Sequence, residues 1–139
     1  MAAEQDLQQT FKIYIGQNDI LNLEVNSGVN DVASNIKQAE LIKQAIERIL
    51  AEQKPKKFHC LVDISGLGEK AHYPSPQARQ IYASLLDLEQ LNKIAVVAPN
   101  TLLQSVMRFI IYFSGKQKVV NFFNTRLEAQ NWLKEKEQE

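Results

Sequence analysis

A single cysteine, Cys60, stands in 139 residues. A disulfide within the chain needs two, and a zinc or iron–sulfur cluster held by thiolates needs several, so both are excluded. Histidine is nearly as scarce, with only His59 and His72. His59 adjoins Cys60 in an extended stretch, where neighbouring side chains point to opposite faces, and His72 has no second histidine near it. No metal site is expected. Charge of one sign is absent too: 16 basic against 16 acidic side chains leave a formal net charge of 0. Such a balance does not serve the neutralisation of nucleic-acid phosphates, and no nucleic-acid partner is expected. Glycine is limited to 5 residues, and Gly66-Leu67-Gly68 is too short for a dinucleotide fingerprint and leads into no helix directly. The richest apolar run, residues 102–113, is broken by Gln104, Ser105 and Arg108. It is well short of the roughly 20 residues that span a bilayer. Residues 1–10 are polar and do not read as a secretory leader. A lone thiol suits a reducing compartment, so a cytoplasmic location is expected, with no cofactor.

What is present is ordinary for a folded domain: 45% hydrophobic and 23% charged residues. Phe11 to Ile15 and Ile20 to Val25 alternate apolar and polar around the turn cluster Gly16-Gln17-Asn18-Asp19, which predicts a β-hairpin. From Asp31 the period lengthens. Val32, Ile36, Ala39, Ile42, Ala45 or Ile46, and Ile49 or Leu50 form one stripe of a helix, capped by Asp31 or Ser34 and stopped before Pro55. The cluster Lys54, Lys56 and Lys57 complements the carbonyl end of that helix. Phe58 to Ile64 is nearly continuous apolar sequence, as in a central strand covered on both faces. A loop from Ser65 to Pro74 follows, then a helix from Pro76. Lys93 to Ala98 reads as a second buried strand, and Pro99-Asn100-Thr101 opens a helix running to about Ser114. A short strand over Val119 to Phe123 and a helix begun by the capping box Thr125–Glu128 complete the chain.

The resulting order, ββαβαβαβα, predicts an α/β domain over 11–134 with an N-terminal tail at 1–10 and a C-terminal tail at 135–139. Its sheet should be mixed, a hairpin followed by parallel βα units.

Two features carry a resemblance. An aspartate ends the central strand in Leu61-Val62-Asp63-Ile64, and a loop then leads to a capped helix. Toward the end, Val120-Asn121-Phe122-Phe123-Asn124-Thr125 runs into Glu128-Ala129-Gln130-Asn131-Trp132-Leu133. Over Phe11 to Leu133 the chain resembles the STAS domain superfamily in its SpoIIAA-like branch. The resemblance implies a STAS-like sheet and a non-catalytic regulatory module acting on a protein partner, as in bacterial signalling. It also implies a phosphorylatable serine at the start of the helix after the central strand, normally within an Asp-Ser-Ser-Gly-like run. That run is absent here; His72-Tyr73-Pro74-Ser75-Pro76 stands in its place, and Ser75 corresponds by position alone.

The candidate site residues each admit two readings. Ser75 before Pro76 is either a helix N-cap or a regulated hydroxyl on a helix dipole. Asp63 and Ser65, at the carboxyl end of an inner parallel strand, either close a local turn or face a ligand. The 102–114 helix has an apolar arc of about 200°, wider than the ~100° that core packing requires. Phe109 lies in that arc and Tyr112 further round. They mark either packing under neighbouring helices, a homodimer face, or the wall of a pocket for a lipid or other apolar small molecule. No catalytic residue is assigned, because no nucleophile–base pair is recognisable.

Overall fold

The computed structural model of the chain describes residues 3–29, 31–70, 73–112, 114 and 119–135. Strands β1 (Phe11–Ile15) and β2 (Ile20–Val25) form the hairpin, pairing antiparallel with Tyr14 opposite Asn22 and Lys12 opposite Glu24. Its turn holds Asn18 and Asp19 at φ 62° and 56°, the left-handed region in which these two residue types are best tolerated. Helix α2 (Val32–Glu52) leads to β3 (Phe58–Asp63), α3 (Pro76–Leu86) to β4 (Leu91–Val97), and α4 (Thr101–Tyr112) to β5 (Val120–Phe123). The sheet order is β1-β2-β3-β4-β5, parallel from β2 onward. The expected mixed sheet with a leading hairpin is therefore the observed one, and Asp63 closes its central strand.

Helix starts follow the side chains that cap them. Asp31 accepts from the Ser34 N–H at 2.8 Å, Ser75 from Ala78 at 3.3 Å, Asn100 from Leu103 at 2.9 Å and Thr125 from Glu128 at 3.2 Å. The last differs in detail from a reciprocal capping box, since the Glu128 carboxylate accepts from the Thr125 hydroxyl at 3.0 Å. The helix expected to run to about Ser114 is observed over Thr101–Tyr112; Ser114 is not helical, and Phe113 lies outside the described residues.

Sequential parallel strands joined by right-handed crossovers set every connecting helix on one face. Accordingly α2, α3 and α4 cover the face built by Leu21, Leu23, Val25, Cys60, Val62, Ile94 and Val96. The opposite face receives α5 (Arg126–Lys134), whose Ala129 and Leu133 pack on Ile20, Leu61, Ala95 and Val97. Beyond α5, that second face carries Lys12, Tyr14, Asn22 and Glu24 from the hairpin. One face is thus a thick apolar layer and the other is apolar on one half and polar on the other.

The segment expected as an N-terminal tail contains a short helix, α1 (Glu4–Gln8), with Leu7 1% exposed. Five residues hold no period to read in sequence. Leu7 is buried because α1 meets α2 and β1, a tertiary contact.

Candidate functional site

The thick layer is not filled. Between the sheet and its three helices lies a cavity of about 120 Å³. Leu23, Cys60, Val62 and Ile94 form its floor, and Leu85, Val106, Met107 and Ile110 its roof. Its mouth is framed by Gly28, Val29, Leu67 and Pro74, with Asn35 and Gln38 of α2 beside them. Among the described residues none of the lining side chains is charged. The interior is therefore suited to an uncharged apolar body, because a charge there would lose hydration without a partner. Burial pushes the phenol of Tyr82, a lining residue, well above its ordinary pKa, so it stays protonated across the physiological range. Cys60 is 4% exposed within the same apolar wall. A thiol so placed is a packing group.

The mouth is tied down by close backbone contact. A Cβ on Gly66 would stand 3.0 Å from Asn26 Cα and 3.3 Å from the Val25 carbonyl oxygen, so only glycine lets the turn after β3 approach the end of β2. Gly68, at φ 58°, then reverses that turn in a conformation disfavoured for residues with a Cβ.

On the opposite face, Asp63 joins two systems. Its Oδ1 accepts from the Ser65 N–H at 3.0 Å and from the Ser65 hydroxyl, which fixes the start of the mouth-forming turn. Its Oδ2 accepts from Arg126 Nη1 at 3.0 Å. Arg126 Nη2 reaches the Tyr14 hydroxyl at 3.1 Å and Asn22 Oδ1 at 2.8 Å, and Glu24 lies 3.9 Å from Nη1. Burial opposes the Arg126 charge, but the Asp63 hydrogen bond and the surrounding Tyr14, Glu24 and Asp63 outweigh it and raise its pKa. Burial likewise raises the Tyr14 phenol despite Arg126 beside it. The guanidinium is thus a fixed cation whose fork clamps α5 onto three strands.

The other singled-out residues fall as follows. Ser65 serves Asp63 and lies at the edge of the mouth. Ser75 caps α3, and both its N–H and its hydroxyl donate to Asn35 Oδ1, at 3.0 and 3.3 Å. Phe109 is half-buried under the Tyr73 ring at 5.1 Å and the Arg79 guanidinium at 4.7 Å. Tyr112 is 81% exposed, so the broad arc of α4 divides into a cavity-lining side (Val106, Met107, Ile110) and an outward side. Arg108 lies over the Phe122 ring at 4.4 Å. His59 Nδ1 accepts from the Lys93 N–H at 3.2 Å, and His72 lies outside the described residues. Among the described residues no cluster of metal-ligating side chains occurs, and no helix is long and apolar enough to cross a membrane.

Sequence reading missed Arg126, Asn22, Asn35 and Gln38. Asn22 sits on the polar side of an alternating strand, which marks it as facing water, yet it is 4% exposed because Arg126 covers it. Nothing local distinguishes these four.

The Ser75 cap yields a measurable consequence. Ser75→Ala is expected to lower stability by about 1 kcal/mol, the usual cost of a lost N-cap. Ser75→Asp, an equally good cap residue, should lose less, and thermal unfolding of the two variants reads the difference. Equal losses would show that the hydroxyl's bond to Asn35, rather than the cap, is what matters.

Residues 13–137 match the family described as a domain of unknown function, DUF7793, and the chain belongs to that family. Among solved structures it is similar to the crystal structure of an uncharacterized protein from the DUF3478 family with a SpoIIAA-like fold, from Shewanella loihica PV-4. The two share 20% identity over 88% of this chain and 91% of that one, at a TM-score of 0.60. The likeness establishes a SpoIIAA-like fold. No curated protein matches the chain.

Proposed function

We propose that this DUF7793 protein, on its SpoIIAA-like fold, is a non-catalytic sensor module. It takes up a small apolar molecule in the cavity and signals occupancy through the surface at the cavity mouth. The single observation behind this reading is the void of about 120 Å³ within an otherwise packed layer. Apolar side chains around unfilled space forgo packing contacts, and a bound molecule restores them and stabilises the fold by mass action. The room is similar in scale to an engineered cavity of about 150 Å³ that binds benzene. A single ring or a short chain matches that volume.

The STAS-like regulatory role enters through position. Leu67 and Pro74 line the cavity, and both belong to the segment that leads from the central strand to Ser75, the position at which the STAS resemblance implies regulation. Exposed Tyr73 adjoins it. A ligand that moves Leu67 or Pro74 alters that surface directly. The non-catalytic reading is supported among the described residues by Asp63, whose carboxylate is engaged by Arg126 and Ser65, and by the burial of Cys60.

Toluene is a suitable probe. Thermal unfolding in millimolar toluene should rise by several degrees, as expected when a ligand at about 100 times its Kd adds roughly 2.7 kcal/mol. Cys60→Phe, which fills the floor, should abolish the rise. An unchanged melting temperature across apolar probes, with apo protein in the native mass spectrum, would remove the reading.

A further inference from the structure

Apart from the Tyr82 phenol, the cavity is apolar except where α2 meets its mouth. Asn35 and Gln38, three residues apart and so on one face of that helix, both line it. The direction of each amide is set by a backbone group that leaves no choice. The Ser27 carbonyl can only accept, and it takes a hydrogen bond from Gln38 Nε2 at 3.0 Å. The second Nε2 proton goes to Thr10 Oγ1 at 2.8 Å, whose own proton is committed to the Leu7 carbonyl. Both donors of Gln38 are therefore used. The residue is 3% exposed, and no hydrogen bond to its Oε1 occurs among the described residues. Asn35 is the complement. The Ser75 N–H can only donate, and it takes Asn35 Oδ1 at 3.0 Å, with the Ser75 hydroxyl on the same atom. What remains of Asn35 is its Nδ2 donor pair.

One acceptor and one donor thus remain on two lining residues of α2, one helical turn apart, in a cavity without charged side chains. We infer that its ligand is a neutral molecule of single-ring size carrying one group that both donates and accepts a hydrogen bond, a hydroxyl or a carboxamide. That group gives its proton to Gln38 Oε1 and receives one from Asn35 Nδ2. The inference rests on the sensor reading and narrows it. A carboxylate offers only acceptors, so it would set an anion against the Gln38 oxygen inside an apolar wall. Fatty acids and other ionised apolar molecules are rejected on that account. A pure hydrocarbon enters but leaves both amide groups unserved.

The test compares three probes of nearly equal size on the unaltered chain at neutral pH: phenol, toluene and benzoate, by calorimetry or by ligand-observed NMR. In a wholly apolar cavity the phenol hydroxyl would weaken binding roughly tenfold to a hundredfold relative to toluene, since its hydration is lost unreplaced. Phenol binding at least as tightly as toluene, with benzoate at least about a hundredfold weaker, is the expected result. Toluene binding with phenol much weaker overturns the hydrogen-bonding pair while leaving the sensor reading intact. Benzoate equal to phenol overturns neutrality. Failure of all three overturns the sensor reading itself. Gln38→Leu should shift the phenol-to-toluene preference at least about tenfold toward toluene. The comparison on the unaltered chain decides the matter even if that variant folds poorly.

Discussion

Arg126→Ala is expected to lower the melting temperature by roughly 5–15 °C. The side chain donates to Asp63, Tyr14 and Asn22 at once and is 30% exposed, while Asp63 is 11% exposed. Removing it strands a carboxylate and an amide oxygen away from water. Breaking a fully buried ion pair costs about 3–5 kcal/mol, and the partial exposure of Arg126 reduces that to about 2–4 kcal/mol. Arg126→Lys keeps the charge but loses the fork, so it should recover only part of the loss. Arg126→Ala combined with Asp63→Asn should cost less than the two changes summed, because the stranded charge is gone. Trp132, the single tryptophan, lies on α5 against Phe123, so its fluorescence reports loosening of that helix. A melting point within about 2 °C of the parent would mean that the clamp does not hold α5.

Ile94→Ala is the second large effect, and its size depends on the solution. Ile94 is fully buried in β4 and forms part of the cavity floor. Deleting such a side chain costs about 2–5 kcal/mol, toward the upper end where the walls cannot collapse onto the space. Here the helices are held apart from the sheet by an existing void, so the upper half of that range is expected. The enlarged cavity should then bind toluene more tightly, and saturating toluene should return about half of the loss. Thermal unfolding with and without toluene measures both quantities. A loss of the same size with no return would place the side chain in ordinary core.

The two substitutions differ in what sequence could say of them. Ile94 sits in an apolar run, Lys93 to Ala98, that reads directly as a buried strand, so its burial was legible. That it borders a void was not. Periodicity assigns a side chain to a face, and whether the opposing side chains meet depends on how three helices settle together. Arg126 was illegible for a different reason. Its partners Asp63 and Asn22 lie 63 and 104 residues away along the chain, and a charged residue in the first turn of a helix normally faces water. Asn35 and Gln38 read as polar positions beside an apolar stripe. Their role arises only because Ser75 and Ser27 arrive from other segments to fix their amides.

Sequence alone determined the order of the main strands and helices, a cap at Asp31 or Ser34, cap residues at Ser75 and Thr125, and Asp63 at the tip of the central strand. Those features depend on local backbone preference and on side-chain period, which act within a few residues. Tertiary structure alone decided that the thick layer keeps a cavity, that α1 docks through Leu7, and that one guanidinium binds α5 to the hairpin. Each of these depends on distances between elements far apart in the chain, and such distances follow from the packing of the whole.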